Sequence, residues 1–313
     1  MTTQQHPLTQ TGDRLFLTDS GLETTLVFHD GMDLPCFAAF DLLKDETGTD
    51  HLRRYYQQHI DLALEYGFGF VLESVSWRAS SDWGDILGYS SDALAQANRQ
   101  SIELLRDLRD KNQTSESPMV ISGNLGPRGD GYSADQRITP DEAADYHATQ
   151  IRILADAGAD MITALTLTDS DEALGIAMAA QAVHIPVVIS FTVETDGRLP
   201  SGQSLQAAIE AVDAATNNGP AYYMINCAHP THFKNVLSSS AQWVTRIQGI
   251  RANASCMSHA ELDNSETLDD GNPEELGRQY SELRSLLPNL KVVGGCCGTN
   301  HRHVGAIARQ CRA

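Results

Sequence analysis

The 313-residue chain carries 41 acidic against 22 basic side chains, a formal charge of −19, with 41% hydrophobic residues. So acidic a surface repels phosphate backbones, which argues against nucleic acid, and no apolar run approaches the roughly 20 residues that cross a bilayer, which argues against a membrane partner. The polar start lacks an apolar signal core and predicts a flexible N-terminal tail over residues 1–12 of a cytoplasmic protein, in which the six cysteines argue against a disulfide framework: clustered ones point to metal or catalysis, while Cys36, Cys256 and Cys311 read as ordinary residues.

After that tail, the apolar run Arg14–Ser20 (RLFLTDS) reads as a first strand. Helical spacing over Asp50–Tyr66, stopped by Gly67, leads to a second strand, Phe70–Trp77 (FVLESVSW). A helix over Ser91–Arg109 precedes strand three, Met119–Gly126 (MVISGNLG). The next helix, Thr139–Ala157, opens on TPDE, with Thr139 as N-cap, Pro140 at the first position and acids in the first turn, and it stops at Gly158. Strand four is Asp160–Leu167, followed by a helix over Asp169–Ala182 and strand five, Pro186–Val193. The helix Leu205–Asn217 leads to strand six, Ala221–Ala228, and then to strand seven, Gln248–Ala254. The acidic, polar stretch Glu261–Asn272 predicts a loop over one end of the fold, before the helix Asn272–Leu287, strand eight at Lys291–Gly298 and a closing helix near His301. Most of the runs start near-continuously apolar, as parallel strands buried on both faces do. Eight such strands alternating with helices predict a single (β/α)8 TIM barrel over residues 13–313. A doubly wound open sheet would carry a Gly-rich phosphate loop after its first strand, and TDSGLETT is a poor match.

In such a barrel the active site lies at the C-terminal ends of the strands. Those ends carry Asp19, Ser20 and Glu23; Glu73, Ser76 and Trp77; Asn124; Thr192 and Glu194; Asn226, Cys227 and His229; and Cys296 and Cys297. Strands six and eight, separated only by strand seven, therefore bring three cysteines to one face. Adjacent residues of a regular strand point to opposite sides, but Gly294 and Gly295 before the pair and Gly298 after it allow the backbone to leave β geometry, so that both sulfurs turn to one ion. Three thiolates with one open position is the pattern of a catalytic zinc site. Cys256, just past strand seven, is the one rival ligand; His229, His232, His301 and His303 read as surface or supporting residues.

Zinc held by three thiolates has a net charge of −1 and is a poor electrophile. It still strips the proton from a fourth, incoming thiol, which is otherwise only a few per cent ionised near neutrality. That combination suits attack of a small thiol on an activated methyl group carried by a sulfonium or ammonium donor. No general base is then needed.

The residues also match a known family. INC at Ile225–Cys227 and GGCCGT at Gly294–Thr299 resemble the cysteine motifs of the homocysteine S-methyltransferases, zinc (β/α)8 barrels, and the resemblance runs from about Leu15 to about Ala308. It implies that Cys227, Cys296 and Cys297 ligate zinc. DSGLETTL at Asp19–Leu26 resembles the segment that holds the amino-acid end of homocysteine through an aspartate and following backbone amides, which implicates Asp19, Ser20, Gly21 and Leu22, with Glu23 and Asn226 as further substrate contacts. GNLGPRG at Gly123–Gly129 and ISFTVETDGRLPSGQSL at Ile189–Leu205 match other family segments. One departure stands out: Leu165, in DMITALTLTDS, falls where the family has a glutamate for the substrate amino group. Either Glu23, Glu73 or Glu194 supplies that carboxylate, or the acceptor is a different small thiol.

Other readings predict other signatures. A zinc hydrolase barrel needs a histidine-rich site, and no H-x-H follows strand one. A Schiff-base barrel needs a lysine at a strand's C-terminal end, and Lys44, Lys111, Lys234 and Lys291 all lie elsewhere. A non-catalytic zinc barrel needs a fourth protein ligand such as Cys256 or a histidine. A folate donor with cobalamin would call for additional modules, which leaves S-methylmethionine, S-adenosylmethionine or a betaine-like compound, with Trp77, Trp83, Tyr89 and Phe191 as candidate cation–π contacts.

Overall fold

The computed structural model describes residues 8–133, 137–237 and 241–312. Eight parallel strands close into a barrel in sequence order, β1 to β8, with β8 pairing back onto β1. They are β1 (Phe16–Leu17), β2 (Gly69–Glu73), β3 (Met119–Leu125), β4 (Met161–Leu167), β5 (Val187–Phe191), β6 (Tyr222–Asn226), β7 (Ile247–Ala252) and β8 (Val292–Gly295). The (β/α)8 architecture read from the strand series is the observed one.

The helices are α1 (Leu22–Thr24), α2 (Glu46–Tyr66), α3 (Ser81–Ile86), α4 (Ser91–Asn112), α5 (Pro140–Ala157), α6 (Ser170–Ala182), α7 (Leu205–Thr216), α8 (Pro230–Phe233), α9 (His259–Asp263), α10 (Pro273–Leu286) and α11 (His301–Arg312). Local signals place their ends. The Thr139 side chain accepts from the Glu142 amide while Glu142 accepts from Thr139, a reciprocal cap that starts α5 where TPDE predicts it. Helix α2 starts earlier than its apolar spacing suggests, because the Asp45 carboxylate caps the Gly48 amide at 2.8 Å. Helices α3, α8 and α9 are too short to show a periodicity and escape a pattern-based reading. Among the described residues, no helix is long and apolar enough to cross a membrane.

The barrel interior is layered. Phe16, Val71, Val120, Met161, Val188, Tyr222 and Val292 form an apolar layer near the N-terminal ends of the strands. Side chains alternate along a strand, so the inward positions further up are Thr18, Glu73, Ser122, Thr163, Ser190, Asn226 and Arg251, with Gly294 beside Arg251. This upper layer is polar, and it carries hydrogen bonds such as Ser122 Oγ to Thr163 Oγ1 at 2.7 Å. A polar interior at the C-terminal end makes the floor of a site; the apolar layer beneath it seals the barrel.

The expected N-terminal tail divides. Residues 1–7 lie outside the described residues, whereas Leu8 packs partly buried against the apolar layer. Gln10 is fully buried there and donates from Nε2 to Met161 Sδ at 2.8 Å and to the Tyr222 hydroxyl at 3.4 Å. A run of polar residues gives no hint of this, since what buries Gln10 is the open underside of the barrel.

Candidate metal centre and substrate cavity

Cys227 follows β6 directly, and its amide continues the sheet ladder by donating to the Arg251 carbonyl at 3.1 Å. The residue then turns into the left-handed region, φ +56°, an uncommon conformation for a side chain larger than glycine. That turn lifts its sulfur off the strand line. Cys296 and Cys297 leave β8 in a turn closed by the Thr299 amide on the Cys296 carbonyl at 3.0 Å, with Gly298 at φ +76° in its third position, where a type II turn requires a positive φ. The three sulfurs lie within 4.8 Å of one another, and Cys227 and Cys297 are 3.3 Å apart. Two thiolates about 2.3 Å from a zinc at tetrahedral angles stand roughly 3.8 Å apart, so the trio fits one ion.

Of the three glycines expected to release the chain from β geometry, only Gly298 does so. Gly294 and Gly295 remain in β8 and serve close packing instead: a Cβ on Gly294 would stand 1.9 Å from Thr18 Oγ1 and 2.8 Å from the Asp19 carbonyl. Gly294→Ala is therefore expected to destabilise the protein by about 1–3 kcal/mol through overpacking, read as an earlier urea midpoint, with zinc retained by the fraction that folds.

The surroundings of the cluster are specific. Asn226 braces it rather than offering free groups: its Oδ1 accepts from the Thr166 amide at 2.8 Å and from Ser190 Oγ at 2.6 Å, while Nδ2 donates to Thr166 Oγ1 at 2.8 Å and lies 3.9 Å from Cys296 Sγ. Thr166 is itself held at φ +63°, strained for a β-branched residue. The Tyr132 hydroxyl, from the β3–α5 connection, lies 3.0 Å from Cys227 Sγ and 3.5 Å from Cys297 Sγ. Its ring rests on His259, whose Nε2 donates to the Cys227 carbonyl at 2.7 Å and whose Nδ1 faces Glu194 at 3.0 Å. Tyr132 and His259 escaped the sequence reading because neither sits at a strand end. Without a metal, Cys296 is held well below the usual thiol range, first by hydrogen bonds from Cys227 and Cys297, with the Arg251 guanidinium contributing.

The sulfurs open onto a cavity of about 420 Å³, lined among others by Asp19, Ser20, Gly21, Leu22, Glu23, Glu73 and Asn226, so every expected substrate residue borders it. Their roles differ. Asp19 is 3% exposed; its Oδ1 pairs with Arg251 Nη2 at 2.6 Å and its Oδ2 accepts from the Tyr55 hydroxyl at 3.1 Å. Burial raises its carboxyl, against the pull of Arg251 and Tyr55. The Ser20 amide donates to the Tyr55 hydroxyl, and Ser20 Oγ lies 2.8 Å from His59 Nε2. The Gly21 amide faces Thr299. Two of the three backbone amides implicated by the resemblance, those of Ser20 and Gly21, thus already have partners within the fold. Burial pushes the Glu23 and Glu73 carboxyls up to about 7 each. Glu194 bonds to His259 and does not border the cavity, whereas Leu165 does and presents only carbon.

Other expectations resolve differently. Cys256 is exposed and apart from the cluster; His232 meets only its backbone carbonyl, and His303 bonds to the Asp270 carbonyl. None of the candidate rival ligands joins the sulfurs. The aromatic residues do not form an open cation site. The Arg78 guanidinium already covers Trp77 at 4.3 Å and Trp83 at 3.8 Å, Tyr89 packs edge-on to Phe40, and Phe191 is buried against Tyr223. The stretch Glu261–Asn272 does lie over the barrel mouth, contributing Leu262, Asp263 and Asp269 to the cavity wall.

Comparison with known proteins agrees with this architecture. A family profile described as homocysteine S-methyltransferase matches residues 16–311. Homocysteine S-methyltransferase 1 of Arabidopsis thaliana is 23% identical over 94% of this chain and 92% of its own length. Selenocysteine Se-methyltransferase of Brassica oleracea var. italica is 25% identical over 94% of this chain and 88% of its own. The oxidised form of the homocysteine methyltransferase MmuM from Escherichia coli superposes with a TM-score of 0.77 at 19% identity, covering 97% of this chain and 98% of that one. Its metallated form gives 0.75 at 19% identity, covering 96% of each.

Proposed function

The chain belongs to the homocysteine S-methyltransferase family, and from that premise we propose that it transfers a methyl group from a small sulfonium or ammonium donor to homocysteine, giving methionine, with zinc held by Cys227, Cys296 and Cys297. The observation that carries this reading is the convergence of three sulfurs within 4.8 Å at the mouth of the barrel, facing a cavity of small-molecule size. The curated relative named for homocysteine methylation and the metallated relative of the same fold support it. Residues 13–313 serve as one catalytic domain in this reading.

When bound, zinc supplies ionisation of the acceptor thiol, and three thiolate ligands keep that sulfur nucleophilic. The chain's own residues supply the rest. Asn226, braced by Thr166 and Ser190, keeps β4, β5 and β6 in the register that sets Cys227. His259 fixes the Cys227 carbonyl. The Tyr132 hydroxyl touches two of the sulfurs and borders the cavity, so it gives way as an acceptor sulfur arrives. Glu23, Asp130, Asp263 and Asp269 make the cavity wall acidic, which draws a cationic donor inward. In the transfer, a lone pair of the acceptor sulfur forms the new C–S bond as the bond from methyl to the donor's cationic sulfur or nitrogen breaks. The electron pair stays with the neutral leaving sulfide or amine, and the thiol proton has already passed to solvent.

The test crosses zinc-loaded protein and homocysteine with S-methylmethionine, S-adenosylmethionine and betaine, with methionine read by mass spectrometry. Methionine from at least one donor, lost on dialysis against a chelator and restored by zinc, is expected. No methionine from any donor, with zinc bound through four protein ligands by X-ray absorption, would overturn the reading in favour of a structural site. Tyr132→Phe is expected to leave the fold intact and to slow modification of Cys297 by a thiol reagent in the metal-free protein several-fold, because the hydroxyl hydrogen bond that favours its thiolate is gone.

A further inference from the structure

Beneath the sulfur cluster, two buried charged groups of opposite sign, Glu73 and Arg251, face one cavity with hydrogen-bonding capacity left over. Glu73, at the end of β2, is 3% exposed; the Ser122 and Thr163 hydroxyls, bonded to each other, stand beside its carboxylate, but neither carboxylate oxygen has a hydrogen bond of ordinary geometry. Arg251, on β7, is 4% exposed; Nε donates to the Gly295 carbonyl at 3.0 Å and Nη2 to the Ser20 carbonyl at 3.1 Å while forming an ion pair with Asp19 Oδ1, but Nη1 has no hydrogen-bond partner. Both residues line the same cavity as Cys227, Cys296 and Cys297. The Asn124 side-chain oxygen, on β3 beside β2, is a third buried polar atom there without a partner.

The fold satisfies these groups only in part. Asp19 takes up Nη2 and leaves Nη1. The Tyr56 hydroxyl donates to the Glu73 backbone carbonyl, not to its carboxylate. Burial pushes the Glu73 carboxyl up to about 7, against the pull of the Arg251 guanidinium. Buried polar atoms left short of partners are costly, and a site that keeps a carboxylate and a guanidinium N–H in that state is arranged for a ligand carrying both complements.

We propose that Glu73 and Arg251 recognise the amino-acid end of the acceptor: the Glu73 carboxylate, with Asn124, receives its ammonium, and Arg251 Nη1 donates to its carboxylate. The site thereby selects a zwitterionic thiol over thiols bearing one charge. This rests on the methyltransferase reading and names the residues that set its acceptor specificity. It also places the ammonium contact on β2, while Leu165 on β4 supplies carbon.

The test is calorimetric binding of three thiols to zinc-loaded full-length protein: homocysteine, 4-sulfanylbutanoate, which lacks the ammonium, and 3-aminopropane-1-thiol, which lacks the carboxylate. The native protein is expected to prefer homocysteine by roughly 10- to 100-fold over each analogue, as one charge-assisted hydrogen bond allows. Glu73→Gln keeps the shape and removes the charge; it should abolish the preference over 4-sulfanylbutanoate and keep that over the aminothiol. Arg251→Lys should show the opposite pattern, and if that variant does not fold, Glu73→Gln carries the test alone. A merely structural role for Glu73 would shift the melting temperature and leave the ligand order unchanged, which would overturn the proposal. Equal binding of all three thiols, or of none, by the native protein would overturn it too. Methylation of homocysteine in that case would leave the proposed function standing, whereas zwitterion-selective binding without transfer from any donor would sink the function and spare the site.

Discussion

Replacing Cys296 by alanine is expected to abolish stoichiometric zinc binding and to lower methyl transfer by at least ~10³-fold, the order that several kcal/mol of lost activation produces. The three sulfurs form one cluster within 4.8 Å, and among the described residues no other group of three ligands of this kind lies close enough to replace them. Removing one leaves two thiolates and the Tyr132 phenol, which lies near Cys227 and Cys297 but holds its proton well above the ordinary phenol range, first because it is buried. Cys311→Ala is the matched control. That sulfur is buried on α11, away from the cavity, so zinc content and activity should match the native protein. The measurements are metal analysis after gel filtration and initial rates at saturating acceptor. Full zinc occupancy in Cys296→Ala would mean that the ion sits elsewhere.

Arg251→Met is expected to produce the largest loss of stability, about 3–5 kcal/mol, through the removal of one partner of a buried ion pair. The Asp19 carboxylate, 3% exposed, would keep only the Tyr55 hydroxyl, and the carbonyls of Ser20 and Gly295 would lose their donor. The Ser20 carbonyl lies three residues past β1 and that of Gly295 at the end of β8, beside the seam where the barrel closes. Asp19→Asn removes the opposite charge, so the double variant should be less unstable than the sum of the singles. The coupling expected of touching partners is roughly 0.5–3 kcal/mol. Urea unfolding of the four proteins reads this directly. Additive single effects would mean that the 2.6 Å contact contributes no net coupling.

Much of the architecture follows from local chemistry. Strand and helix alternate because apolar runs and 3.6-residue spacing alternate, and ends fall where residues such as Thr139, Gly67 and Gly158 stop or start a helix. The cysteine trio was legible for the same reason. INC and GGCCG mark strand ends, and closure in sequence order places β6 and β8 two strands apart.

What chain order alone could not decide is which side of each strand faces inward. In a barrel both faces of a strand are buried, one by the interior and one by helices, so a continuous apolar run hides the register. Arg251 therefore reads as an unremarked residue of strand seven and Glu73 as one strand-end carboxylate among several, until closure turns both into a single layer. Tyr132 and His259 come from connections with no periodicity, and Arg78 fills the space between Trp77 and Trp83 that seemed open to a ligand cation. The sequence by itself determined the barrel and the convergence of the three cysteines, because both rest on short-range signals. The polar floor beneath the sulfurs was decided only by tertiary structure, since it exists where strands distant in the chain meet around a closed ring.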